Sequence, residues 1–186
     1  ASPSKQPFLR LQAVWKVDLE GTIYLSLDGN FDKVFPYLPR FGIGLKLPND
    51  KTDVTYYGYG PYESYSDKHR ASWVDRFDTT VDDMFEDYVF PQENGSHYNC
   101  QYASVGNLFA KGKKPFSFQA SRYSEKELDE KAHNFELVPS DGIYVALDYK
   151  QSGIGSNSCG PRLAEKYQLR EEKIEWEISL RFDNKN

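Results

Sequence analysis

Two glutamates, Glu63 and Glu93, sit in segments rich in tyrosine, glycine and proline. Glycoside hydrolysis needs a pair of carboxyl groups, about 5–5.5 Å apart for retention and wider for inversion. The chain holds 28 Asp and Glu residues, so candidate pairs arise by chance, and sequence spacing fixes no distance. Glu63 lies in Tyr56–Asp67, a stretch with five tyrosines that does not read as strand. Its tyrosine faces and the acids Glu63 and Asp67 suit sugar binding. An Ω-loop packed on its own aromatics would use the same residues. Glu93 lies in Tyr88–His97, where Asn94-Gly95 marks a turn. It could hold a sugar, or it could satisfy backbone N–H groups. Asn94-Gly95-Ser96 also fits the glycosylation triplet, which is common by chance. A third stretch, Gln151–Pro161, is rich in small residues. Gly153-x-Gly155 follows a strand pattern, but no Lys-Ser or Lys-Thr pair comes after it, which excludes a phosphate loop. Cys159 has no histidine partner in sequence, so a catalytic thiol is disfavoured.

The elements that must position these residues are strands. Leu9, Leu11, Ala13, Trp15 and Val17 alternate with mostly polar neighbours, and the period of two predicts a half-buried strand. The same pattern predicts strands at Ile23–Leu27, Ile43–Leu47, Tyr98–Tyr102, Phe116–Ala120, Ile143–Tyr149 and Ile174–Phe182. One short helix is predicted: Ser124 caps it, Glu127 completes a capping box, Tyr123 and Leu128 take staple positions, and Lys131 falls in the last turn. A weaker helical turn is expected over Thr80–Asp87, with Asp82, Asp83, Glu86 and Asp87 solvated. These spacings predict an all-β antiparallel sandwich. Residues 1–7, with Pro3 and Pro7, read as a linker or frayed terminus, and 8–186 as the folded part.

The chain has 186 residues and a formal net charge of −5. Its 39% hydrophobic and 27% charged residues describe a globular chain. The acidic balance argues against nucleic acid as a partner, and no apolar run is long enough to span a bilayer. The three histidines are too scattered for a metal site, and Cys100 and Cys159 are expected as free thiols.

Four segments carry a resemblance: Leu38-Pro39-Arg40-Phe41-Gly42, Gly58-Tyr59-Gly60-Pro61-Tyr62-Glu63-Ser64-Tyr65-Ser66-Asp67, Tyr88-Val89-Phe90-Pro91-Gln92-Glu93-Asn94-Gly95 and Ser152-Gly153-Ile154-Gly155. In this order they resemble the C-terminal, small-chain domain of glycoside hydrolase family 2 β-galactosidases, from about Trp15 to Phe182. The resemblance implies an antiparallel β-supersandwich of the galactose-mutarotase type, of which this chain would be the C-terminal portion. It implies a parent enzyme that hydrolyses terminal β-D-galactosides with retention. The catalytic glutamates, magnesium and sodium of that enzyme belong to a separate barrel, so this chain inherits no catalytic residue and no cofactor. Its implied part is to wall the sugar pocket and stabilise assembly, with the other parent domains and the galactoside as partners and an oligomeric parent. In the family, the loop after Gly153-Ile154-Gly155 carries a substrate-stacking tryptophan. Here Cys159 takes that place, which makes Asn157, Ser158 and Cys159 pocket candidates. Glu63, Tyr65, Asp67, Glu93 and Asn94 are rim candidates, or else a lock between two loops. A cytoplasmic location is favoured, with periplasm or secretion open. The competing classes are an autonomous carbohydrate-binding module and an aldose epimerase. The epimerase would need a His/Glu acid–base pair, and His97 is the one histidine near the motif loops.

Overall fold

The computed structural model describes residues 7–32, 35–155 and 161–183. Within them the chain forms β1 (Leu9–Val17), β2 (Ile23–Phe31), β3 (Arg40–Pro48), β4 (Asp53–Gly60), β5 (Trp73–Thr80), β6 (His97–Val105), β7 (Leu108–Ser121), β8 (Gly142–Gln151) and β9 (Lys173–Phe182). Helix α1 (Glu125–Glu130) lies between β7 and β8. Every strand pairing is antiparallel. The fold is an all-β antiparallel sandwich with one short α-helix among the described residues, as the alternation predicts. Pro7 is exposed coil, and residues 1–6 lie outside the described residues.

One long strand builds both layers. The order β1-β2-β9-β7-β6-β4-β5 runs through β7, and β8 with β3 branches from the same strand. Leu108–Gly112 pairs with β9, whereas Ser117–Ser121 pairs with β8. Between these halves the Lys114 carbonyl comes so close to Gly112 that a Cβ there would collide with it. Glycine permits that approach, and β7 turns from one layer into the other. Leu25 and Leu27 of β2 and Ile174, Trp176 and Ile178 of β9 share one core with Ile143, Val145 and Leu147 of β8. Phe31 of β2 meets Phe41 of β3 edge-on at 5.5 Å, joining the layers at one end.

Three strands differ from the sequence expectation. Strand β1 forms where the alternation places it but is not half-buried: Leu9 is partly covered, and Leu11, Ala13, Trp15 and Val17 are exposed, because β1 is the outermost strand beside β2 and no described element covers its apolar face. Tyr56–Gly60 belongs to β4, a strand between β5 and β6, instead of a loop. Its buried face carries Val54, Tyr56, Gly58 and Gly60. Tyrosines lie on both faces and glycine occupies core positions, so the side chains show no apolar alternation. Gly58 is needed there, because a Cβ would strike the Cys100 thiol. Strand β5 lies where the alternation predicts none: among the described residues it pairs with β4 alone and carries Asp75, Arg76 and Asp78, all exposed. Charge along such an edge deters pairing with other chains, and it also erases the hydrophobic pattern.

Helix α1 forms where expected, with the Ser124 hydroxyl accepting the Glu127 N–H at 3.0 Å. Its box is half built, because the Glu127 carboxylate turns to the Val138 N–H at 2.9 Å. Lys131 is the C-cap instead of a last-turn residue. Tyr123 rests on Phe85, ring centroids 4.9 Å apart. Thr80–Asp87 makes a single turn, closed by Met84 N–H on the Thr80 carbonyl at 3.1 Å. Among its acids, Asp82 is engaged by Arg122 and Asp87 by Asn134.

Candidate functional site

The loops after β4, before β6 and after β8 meet at one end of the sandwich. The Ser64 N–H donates to the Ser96 carbonyl at 2.7 Å, and the Tyr98 N–H to the Ser64 hydroxyl at 2.9 Å. These bonds sew Pro61–Asp67 to the start of β6.

Glu63 is the hub of that seam. It is buried, and Lys68 and Tyr88 both bond its Oε1. Its Oε2 accepts the Gly95 N–H at 2.9 Å, with the Tyr65 hydroxyl at 3.5 Å. Gly95 stands at φ +69, in the left-handed region that favours glycine, and a Cβ there would collide with the Met84 carbonyl. Burial pushes the Tyr65 hydroxyl up, and Glu93 and Glu63 add to that shift, so Tyr65 stays a proton donor.

Glu93 belongs to a second hub. Its Oε2 accepts from Arg40 at 3.1 Å and its Oε1 from Gln151 at 3.2 Å. Arg40 also grips Asp148, through Nε at 3.2 Å and through Nη2, and reaches Glu125 at 3.0 Å. Burial pushes the Glu93 and Asp148 carboxyls up, and Arg40 beside both opposes that rise. Burial alone would lower the Arg40 guanidinium, but Asp148 and Glu93 more than offset it, so Arg40 stays charged. Asn94 is sealed between the hubs: its Oδ1 accepts the Glu86 N–H at 3.2 Å and its Nδ2 donates to the Gln92 carbonyl at 2.9 Å. At 4% exposure it offers no surface to a glycosylating enzyme.

Asp67 serves the third stretch. It accepts the Ile154 N–H at 3.1 Å and the Gly155 N–H at 2.8 Å. The Gly153 N–H goes to the Tyr167 carbonyl at 2.8 Å. Gly153 packs so tightly on Asp67 that a Cβ would strike the carboxylate. All three amides are therefore taken, which agrees with rejecting a phosphate loop. The root of the segment is fixed too, since the Ser152 hydroxyl donates to the Leu38 carbonyl at 2.6 Å and accepts the Leu169 N–H at 2.9 Å.

Glu63, Tyr65, Asp67, Glu93 and Asn94 are thus brought together at one end of the fold. Asn157, Ser158 and Cys159 lie outside the described residues. All four carboxylate oxygens of Glu63 and Glu93 are engaged by protein donors. Among the described residues no three His, Cys, Asp or Glu side chains gather as a metal site needs. No described helix is long and apolar enough to cross a membrane. His97 is buried with its ring 4.2 Å from that of Tyr56, and its Nδ1 meets the Tyr59 carbonyl at 3.1 Å. Burial holds it down at about 4, so it is neutral near pH 7. Sequence reasoning missed Arg40 as a hub. Its one signal was a charged residue inside the Leu38–Gly42 motif, at the start of a strand.

Fold and seam together describe an all-β domain whose end loops are held by buried carboxylates. The family model described as beta galactosidase small chain matches residues 2–182, and the chain belongs to that family. It is 43% identical to a β-galactosidase of Actinobacillus pleuropneumoniae over 98% of this chain and 18% of that protein. It is likewise 43% identical to a β-galactosidase of Staphylococcus xylosus, over 95% of this chain and 18% of that protein. A Photobacterium profundum β-galactosidase matches at 34% over 90% of this chain and 17% of that protein. The chain thus spans less than a fifth of the length of these curated relatives.

Proposed function

We propose that the chain is a non-catalytic piece of a retaining β-galactosidase, which walls the sugar pocket and stabilises the assembly. The observation that carries this reading is the Asp67 clamp on Ile154 and Gly155. It holds the base of the segment leading to Asn157, Ser158 and Cys159, so whatever that segment presents is presented from a fixed root. A fixed wall contributes to catalysis by excluding water and orienting substrate, with no group of its own in the chemistry. Glu63 and Glu93 support the same reading, because their oxygens hold loops together. Tyr65 and Asn94 serve that seam as well. The reacting carboxylates, magnesium and sodium are assigned to the remaining domains of an oligomeric parent.

The test is Cys159→Trp in the full-length enzyme. A shift in KM or in inhibitor affinity is expected, because an indole supplies a stacking face that a thiol lacks. Unchanged KM and inhibitor affinity would remove Cys159 from the pocket. Galactose titration of the chain alone separates the classes. Weak or no binding is expected, and clear saturation would make the chain a binding module.

A further inference from the structure

A concavity lies beside the Asp67 loop, with Ser66 in its lining. It is a cleft of about 440 Å³ between Lys114–Ser117 of β7, the end of β8 and the segment around Tyr167. Three features separate it from an ordinary surface dent.

Its charge opposes that of the chain. Lys114, Lys150 and Lys166 line it against a single carboxylate, Glu171, in a protein of net charge −5. Glu171 is already engaged by Lys150 and by the Tyr149 hydroxyl at 2.7 Å. Lys114 feels Glu175 of β9, and Lys166 sits over the Tyr167 ring at 4.6 Å. An excess of positive charge is left on the rim.

Its wall is locally irregular. Asn99, at φ 58, is the one non-glycine residue with positive φ reported among the described residues. It sits where the β6–β7 register slips on both sides of Cys100. Bulges re-aim side chains, and they concentrate beside binding sites. Asparagine enters this left-handed region more readily than other residues with a Cβ, and here it turns the Asn99 amide at the slip in register.

Its lining mixes aromatic and polar groups. Tyr98, Tyr149 and Tyr167 bring ring surface, and Asn99 brings an amide. The Ser66 hydroxyl is buried without a hydrogen-bond partner among the described residues.

We propose that this cleft binds an acidic saccharide, a pyranose carrying a phosphate or carboxylate group. The lysines take the anion, the tyrosines pack the ring's C–H face, and the Asn99 amide reaches a hydroxyl. The proposal does not rest on the galactosidase reading, since it concerns a different cavity and a different ligand charge.

Calorimetric titration of the chain tests it, with galactose 6-phosphate, galacturonate, galactose and inorganic phosphate as four probes. At least one acidic sugar should saturate, binding roughly tenfold or more tighter than galactose, and weaken as salt rises. Which acidic sugar binds identifies the anion. The double variant Lys114→Gln/Lys166→Gln changes two exposed side chains and should weaken that binding at least about tenfold. Asn99→Gly relieves the backbone and keeps the fold, so it should leave the melting temperature equal or higher while binding weakens. No saturation by either acidic sugar, or equal binding by galactose, would overturn the proposal. Full affinity in both variants would overturn it as well. Inorganic phosphate matching the sugar phosphate would reduce the cleft to a simple anion site and equally defeat it.

Discussion

The Asp67 carboxylate accepts the Gly155 N–H at 2.8 Å, across 88 positions of sequence. The same carboxylate takes the Ile154 N–H, so one acid fixes two consecutive backbone groups of the segment after β8. Charged hydrogen bonds of this kind contribute about 1.5–3 kcal/mol each. Asp67→Ala removes both bonds and should therefore destabilise the chain by about 3 kcal/mol, lowering Tm by roughly 6–12 °C. Gly153→Ala should cost about 1–3 kcal/mol, because its Cβ runs into the same carboxylate. Thermal melts check both. Unchanged melts in the two variants would mean that the clamp contributes nothing.

Arg40 and Asp148 form a pair with side-chain exposures of 18% and 3%. Removing one partner strands the other. Arg40→Met should cost about 3–5 kcal/mol, and adding Asp148→Leu should recover part of it, the share of Glu93 staying lost because Arg40 also holds that carboxylate. Urea unfolding of the two singles and the double measures the coupling. Additive losses would contradict it.

His97 sets a pH dependence with a definite sign. Its folded value is about 4, against an ordinary 6.5, so between these values the unfolded chain takes up a proton that the native chain refuses. Its contribution is whole above about pH 6.5 and is lost as pH falls toward about 4, up to about 3 kcal/mol. Glu93 and Asp148 are raised, so their contribution runs the other way and is lost as pH rises through their folded values. His97→Phe isolates the histidine. It loses the bond to the Tyr59 carbonyl at every pH, but its stability should fall less steeply with acidification. Parallel pH profiles of urea midpoints would contradict the assignment.

Cys100 is a free thiol at 0% exposure, and burial pushes it well above its ordinary value. Thiolate is the reactive form. Alkylation followed by mass spectrometry should find Cys100 unlabelled in native buffer and labelled in denaturant. Immediate native labelling would contradict the packing around Gly58.

Legibility in the sequence followed the physics of each element. Strands β2, β8 and β9 bury one aliphatic face, so period two survives in their side chains. Strand β4 puts Gly58 and Gly60 on its buried face and tyrosines on both faces, and β5 is a charged edge, so neither shows the pattern. The rim acids could be named from composition. Their partners could not, because Arg40 meets Asp148 across 108 positions and Asp67 meets Gly155 across 88. Tertiary structure alone makes such pairs. The four motifs that resemble the family are the segments that supply these partners: Arg40, Glu63 with Asp67, Glu93 with Gly95, and Ile154 with Gly155.

On the proposed function, Glu63 and Glu93 hold loops and do no chemistry, so the chain turns over no galactoside of its own. A chromogenic β-galactoside assay on the chain at high concentration tests it most directly. The expected result is no turnover above buffer, with Glu63→Gln and Glu93→Gln lowering Tm instead. Turnover by the chain that either substitution abolishes would make these glutamates catalytic and contradict their role as loop anchors.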